Sequence, residues 1–121
     1  MKINSYKDLI VWQKAMELVK TIYFLTDQFP KDELYGLASQ MQRAAVAIPS
    51  NIAEGYLRGH QKEYVQFLSI ALGSAAELET QILICKSIPK FNKINFNNTQ
   101  SLLTEILKML YVIIERMKGR A

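Results

Sequence analysis

The sequence predicts an all-α protein that folds as an up-down-up-down antiparallel four-helix bundle. Apolar residues recur at intervals of three and four over four long segments, whereas no useful length of chain alternates as a β-strand does. The links between the segments are mostly short, which makes consecutive helices antiparallel neighbours. Half of the 121 residues are hydrophobic, and this length suits one domain, residues 1–121, with a substantial core.

The first helix is predicted to start between Ser5 and Asp8 and to end at Phe29, because Pro30 follows. Trp12 lies on its apolar side, so we expect a large buried anchor, with stacking on a nucleotide as the alternative. The predicted apolar side consists of Leu9, Trp12, Met16, Val19, Tyr23 and Phe29.

The second helix is predicted to begin close to Asp32, which would cap it or oppose its N-terminal dipole, and to end near Leu57, because Gly59 suits a left-handed C-terminal residue. Its apolar spacing continues through Pro49, which predicts one helix kinked at that proline. The predicted apolar face consists of Leu34, Leu37, Met41, Ala45, Ile48, Ile52 and Tyr56.

Small and short polar residues surround this proline. Ser50 and Asn51 can bond to nearby backbone and repair the turn that the proline disrupts. Small residues let another helix approach closely; these are Ala44, Ala45, Ala47, Ala53 and Gly55.

The third helix is predicted from about Gln61 to Ser87, since Pro89 stops it. Gly73 lies in its interior, where glycine costs about 0.5–1 kcal/mol relative to alanine. We therefore expect a neighbouring backbone or bulky side chain to fill the space beside Gly73.

The fourth helix is predicted to be capped by Asn97, Asn98 or Thr99 and to end before Lys118. Its apolar residues wrap most of its circumference, although a bundle core uses about three of every seven positions. Met109 and Val112 lie off the main apolar stripe. We therefore expect them to form an interface with other copies of the chain.

Templates for catalytic and metal sites fail on this sequence. The single histidine, His60, lies in a loop, and the single cysteine, Cys85, lies among apolar residues that suit an inert buried thiol. No phosphate loop or metal-ligand spacing is present. The expectation is a protein that is not an enzyme, has no cofactor or metal and, lacking a signal peptide or membrane span, is cytoplasmic.

Charge is the remaining functional signal. The net charge is +4 and the pI is about 9.2, with the excess concentrated in the last third of the chain. Arg58 and Lys62 flank the predicted start of the third helix, where cations add to the helix dipole in attracting phosphate. They are the first candidates for contact with RNA or DNA, and the weaker candidates are Arg43, Lys90 and Lys93.

The segment Ile48-Pro49-Ser50-Asn51-Ile52-Ala53-Glu54-Gly55-Tyr56 is the most specific of several family-like stretches in the chain. These stretches resemble the bacterial four-helix bundle family of proteins encoded in 23S rRNA intervening sequences. The resemblance covers nearly the whole chain up to the loop at residues 88–98. It is carried also by residues 8–15, 29–37, 40–43 and 71–80 and by Tyr64, Phe67 and Leu68.

The resemblance implies a closed bundle that assembles as a homopentamer. Relatives in diversity-generating retroelements bind nucleic acid and a reverse transcriptase, which makes both of them possible partners here. The sequence thus favours a non-enzymatic oligomeric adaptor that binds RNA or DNA through basic surface. The alternative is a structural or protein-binding bundle whose cations only confer solubility.

Overall fold

Four long helices form the protein, and the computed structural model describes residues 5–119. The helices are α1 (Ile10–Thr26), α2 (Ser39–Leu57), α3 (Gln61–Lys86) and α4 (Asn97–Met117). Helix α2 packs most extensively on α3 and then on α1, α3 packs on α4, and α4 closes the ring against α1. No strand occurs within residues 5–119. The predicted up-down-up-down helical bundle is therefore confirmed.

One end of the bundle carries the α2–α3 turn and the end of α4. Gly59 has φ 76° in this turn, as expected of a left-handed glycine. The Gln61 side-chain amide donates a hydrogen bond to the carbonyl of Met117. The start of α3 is thereby fastened to the end of α4.

An aromatic cluster closes the opposite end, where the α1–α2 link meets the α3–α4 loop. The ring of Phe29 lies edge-on to Phe91 and Phe96, with centroids 4.9 and 6.4 Å apart. All three rings are buried. The loop after Pro89 is thus part of the core, although its sequence has no helical period. At about 1.5 Å per residue, the 26 residues of α3 separate the two ends by about 39 Å.

The predicted apolar side of α1 is only partly correct, because Leu9, Trp12 and Val19 pack against the core without being fully buried. The buried residues are Val11, Ala15, Leu18, Ile22, Leu25 and Thr26. Met16 and Tyr23 are exposed, while Trp12 is half-buried at the edge, with its ring 5.4 Å from that of Tyr6. Both stripes have helical spacing, and a step of one residue rotates a helix face by about 100°. The small side chain of Ala15 lets neighbouring helices pack closely on α1, whereas the rings of Trp12 and Tyr23 lie at the edge of the buried face.

The link before α2 does not use the predicted cap. A 3-10 turn over Lys31–Glu33 and a π-helical turn over Leu34–Ala38 precede α2. Glu33, rather than Asp32, accepts a hydrogen bond from the backbone N–H of Leu37 at 3.3 Å. The longer Glu33 side chain reaches over its own turn, so the prediction for Asp32 is corrected.

Gly36 interrupts the helical register that the sequence predicted across this region. Its dihedral angles, φ −108° and ψ −115°, lie outside the helical range. Leu34 precedes the interruption and is exposed, in contrast to its predicted place on the apolar face, whereas Met41 and Ile48 after it are buried as expected. The apolar spacing in the sequence therefore continues across Gly36, although the helix is interrupted there.

Helix α2 continues through Pro49, whose side chain is buried. The Asn51 side-chain amide donates a hydrogen bond to the carbonyl of Ala47 at 2.7 Å. Pro49 withholds its helical hydrogen bond from the carbonyl of Ala45, so the bond from Asn51 supports the neighbouring turn and does not replace the missing one.

The cap of α4 also differs from the prediction. Asn95 lies two residues before the helix, and its side-chain oxygen accepts a hydrogen bond from the N–H of Asn97 at 2.9 Å. Thr99 is buried instead, and Phe96 at the N-cap position makes no side-chain capping bond. The capping asparagine thus lies just upstream of the predicted set, because the buried ring of Phe96 fixes where the helix begins.

Helix α3 is the one helix within residues 5–119 that is long and apolar enough, by length and composition, to cross a membrane. Its buried residues are part of the hydrophobic core, as Leu68, Leu78 and Ile82 illustrate. Packing in the bundle covers part of its apolar surface, whereas Ile70, Leu83 and Ile84 are exposed.

Two glycines in helices have opposite surroundings. A Cβ atom on Gly55 would lie 2.6 Å from the Cβ of Phe67 and 3.1 Å from a ring carbon of Tyr64. A Cβ atom on Gly73 would meet nothing within 4 Å, so the predicted neighbour of Gly73 is absent among the described residues. Gly55, not Gly73, is the position of close helix approach.

Alanine at these two positions should therefore shift stability in opposite directions. Gly55→Ala should lower the free energy of unfolding by about 1–3 kcal/mol, because α2 and α3 must separate to admit the methyl group. Gly73→Ala should raise it by about 0.5–1 kcal/mol through helix propensity. Urea unfolding followed by circular dichroism measures both changes. Equal effects at the two positions would contradict the close-approach role of Gly55.

Candidate nucleic-acid interface

Arg58, the first candidate for phosphate contact, is engaged within the chain. Its guanidinium pairs with Glu54 at 2.7 Å and Glu63 at 3.6 Å, and it lies 5.0 Å from the centre of the Phe67 ring. These contacts tie the end of α2 to the first turn of α3. The spacing of four between Glu54 and Arg58 is a signal of this pair that the sequence already contains.

Lys90 is likewise paired, at the opposite end of the bundle. Its ammonium pairs with Asp32 at 3.2 Å and also contacts Glu33. Two hydrogen bonds lower the pKa of Glu33, and the bond from Lys90 has a larger effect than the bond from the Leu37 N–H. Lys90 therefore fastens the α3–α4 loop to the α1–α2 link, and no short-range sequence signal reveals these partners.

The other three candidates, Arg43, Lys62 and Lys93, are exposed, and none forms an ion pair with a residue in the described part of the chain. Phosphate therefore does not have to displace an internal carboxylate in order to contact them.

Lys62 lies beside a groove of about 900 Å³ along the seam between α3 and α4. Val65, Ile70 and Met117 supply its apolar lining, and Lys118 joins Lys62 there. Lys118 is not among the five candidates that the sequence predicted. Only the antiparallel packing shows that the end of α4 lies next to the start of α3.

The five predicted residues do not form one surface. Arg58 and Lys62 lie at one end of the bundle, whereas Lys90 and Lys93 lie in the loop at the other, about 39 Å away by the length of α3. Arg43 lies near the start of α2 and lines a groove beside Tyr23 of α1. The exposed cations are thus spread over separate faces.

Ion pairing leaves the remaining surface more basic than the net charge of +4 indicates. Within residues 5–119, ion pairs join three cations, Lys14, Arg58 and Lys90, to five carboxylates. Lys14 bridges α1 to Glu105 of α4 at 2.6 Å. Because the paired groups include more carboxylates than cations, cations predominate among the charged groups that remain.

The two predicted interface residues have different surroundings. Met109 is half-buried and packs against the core, whereas Val112 is 40% exposed. Val112 lines an apolar groove together with Leu72, Leu107 and Tyr111. The bundle itself covers much of the apolar surface of α4, so the exposed remainder is centred on Tyr111 and Val112.

The single cysteine and histidine have the predicted surroundings. Cys85 is buried with its Sγ atom 3.9 Å from the sulfur of Met41, and burial raises its thiol pKa to about 11. His60 is exposed at the N-cap of α3. No group of three or more metal-ligating side chains occurs within residues 5–119.

Comparison with known proteins identifies the family. No curated protein matches the chain. A crystal structure of a protein of unknown function from the S23 ribosomal protein family of Bacteroides thetaiotaomicron is similar, with a TM-score of 0.73 and 26% identity. The similarity covers 90% of this chain and 98% of that one. The family model of the 23S rRNA-intervening sequence protein matches residues 7–112. The chain therefore belongs to the 23S rRNA-intervening sequence protein family.

Proposed function

We propose that this protein is a non-enzymatic, self-associating bundle that binds RNA or DNA through exposed basic side chains. The observation that carries the proposal is the state of Arg43, Lys62 and Lys93, which are exposed and make no ion pair with the described residues. Membership of a family named after an rRNA intervening sequence agrees with a nucleic-acid role.

The division between paired and unpaired cations refines the sequence prediction. Arg58 and Lys90 each hold two carboxylates, so using either one for phosphate contact would disrupt a link between two parts of the fold. Lys62, Arg43 and Lys93 carry no such cost. We therefore assign phosphate contact to these three and a structural role to Arg58 and Lys90.

Self-association is the second part of the proposal. Tyr111 and Val112 expose apolar surface beside Leu72 and Leu107 on the α3–α4 face. Burying this surface against another copy would remove it from water. The family resemblance suggests a ring of five copies, in which basic residues repeat around an axis and contact a polynucleotide at several points.

A structural or protein-binding bundle without a nucleic-acid role is the alternative. The apolar groove between α3 and α4 favours it, because such grooves also receive helices of partner proteins. A reverse transcriptase would be one such partner if this chain resembles its retroelement relatives. The two hypotheses differ in whether polynucleotide affinity depends steeply on salt.

The nucleic-acid hypothesis predicts a defined loss of salt dependence. The double variant Lys62→Ala with Lys93→Ala should bind unrelated sequences more weakly by similar factors. The slope of log affinity against log salt should fall by about 0.7–0.9 for each lost phosphate contact. Fluorescence anisotropy over a salt series measures both quantities.

Lys14→Ala is the matched control, since it removes one positive charge from a lysine already paired with Glu105. It should leave the slope unchanged. An equal reduction in slope for Lys14→Ala would show a general effect of net charge, and an unchanged slope in the double variant would reject the assignment.

The self-association hypothesis predicts that a charge on the exposed strip dissociates the oligomer. Val112→Glu should give the mass of one chain, 13.9 kDa, by light scattering, with helical circular dichroism retained because Val112 is outside the core. Leu57→Glu, at an exposed residue at the end of α2, should leave the oligomer intact. A single-chain mass for the unmodified protein would refute the hypothesis. Met109→Glu is less diagnostic, since Met109 also packs against the core.

A further inference from the structure

The α1–α2 seam combines an exposed aromatic ring with unpaired cations. Two adjoining concavities, of about 550 and 310 Å³, lie along this seam and share Tyr23 and Gln42 in their linings. Arg43 lines the first and Lys31 the second. We call these two concavities, centred on Tyr23 and Gln42, the Tyr23 groove.

We propose that the Tyr23 groove binds single-stranded nucleic acid, with a base stacked on Tyr23 and the backbone phosphates contacted by Arg43 and Lys31. This inference rests on the proposed function and specifies which form of polynucleotide the protein takes and where.

The ring of Tyr23 is suited to stacking because it is 48% exposed although it lies between two helices. Sequence periodicity placed this ring in the core, whereas the structure buries Ile22 and leaves Tyr23 at the groove. A base gains stacking energy on such a ring whatever its identity. The bases of a duplex are already stacked on each other, so this contact favours a single strand.

The charges in the groove are complementary to a phosphate backbone on both sides of the ring. Neither Arg43 nor Lys31 makes an ion pair with a residue in the described range 5–119. Asp27 is the one carboxylate in the lining of the two concavities. Two cations against one anion leave the groove positive, and the cations lie in different concavities on either side of the shared Tyr23.

Gln42 adds a polar group at the junction of the two concavities. Its side-chain amide donates a hydrogen bond to the hydroxyl of Thr26 at 3.0 Å, and that hydroxyl in turn donates to the carbonyl of Ile22 at 2.8 Å. This chain of hydrogen bonds fixes the amide in place. Its carbonyl oxygen, for which no partner occurs among the described residues, can accept a hydrogen bond from a base edge.

The proposal is tested by fluorescence anisotropy with fluorescein-labelled oligothymidylate and oligouridylate of about 20 nucleotides and a duplex of equal length. The unmodified protein should bind both single strands more tightly than the duplex at equal salt. Tyr23→Ala should weaken single-strand binding by roughly 10-fold and duplex binding far less, whereas Tyr23→Phe should retain affinity because the ring remains. Arg43→Gln should lower the salt slope for single strands by about 0.7.

Phe24→Ala is the matched control, because Phe24 is 70% exposed on the same helix and is absent from the lining of the groove. It should bind as the unmodified protein does. Equal losses for Phe24→Ala and Tyr23→Ala, or no loss for Tyr23→Ala, would overturn the inference while leaving the proposed function in place. Failure of the unmodified protein to bind any of the three probes would reject the proposed function as well.

A second copy of the chain is the other candidate occupant of the Tyr23 groove, and light scattering tests for it. Tyr23→Ala and Arg43→Gln should keep the mass of the unmodified protein. A lower mass in either variant would show that the groove is a subunit interface, which would overturn the assignment to nucleic acid.

Discussion

The close approach of α2 to α3 is the contact on which the rest of the bundle depends. Gly55 lies so near Phe67 and Tyr64 that any side chain there would push the two helices apart. This is also the most extensive helix pair in the protein. Because it fixes α2 against α3, it determines where α1 and α4 pack on either side. The grooves along the α1–α2 and α3–α4 seams are consequences of that arrangement.

Electrostatic interactions stabilise the connections rather than the core. Arg58 links α2 to α3 through two carboxylates, and Lys90 links the α3–α4 loop to the α1–α2 link in the same way. Exposed pairs of this kind contribute little individually, and their contribution falls with salt. Their larger consequence is for the surface, since within residues 5–119 they occupy five carboxylates with three cations, whereas Arg43, Lys62 and Lys93 stay available to an anionic partner.

The groove around Tyr111 and Val112 and the Tyr23 groove differ in character, in keeping with the roles proposed for them. The groove around Tyr111 and Val112 is lined by apolar side chains with one lysine, Lys108, as suits contact with another protein surface, whereas Lys62 and Lys118 line a separate groove on the same α3–α4 seam. The Tyr23 groove mixes an aromatic ring, an amide and two cations, as suits a polynucleotide. One small bundle can thus offer different faces to a second copy and to nucleic acid.

The sequence by itself determined the helical class, the approximate bounds of most helices and the turn at Gly59. These features follow from local rules, because apolar spacing, prolines and glycines act over one or two turns. It also identified exposed cations at Arg43, Lys62 and Lys93.

Only the tertiary structure decided between two apolar stripes that are equally regular along α1. It placed Ile22 in the core and Tyr23 in a groove, because the choice depends on which side meets α2 and α4. It also paired Lys90 with carboxylates that lie 57 and 58 residues away in the sequence, and it placed Lys118 and Lys62 in the lining of the same groove. Such pairings arise when distant segments pack together, and no local pattern of residues encodes them.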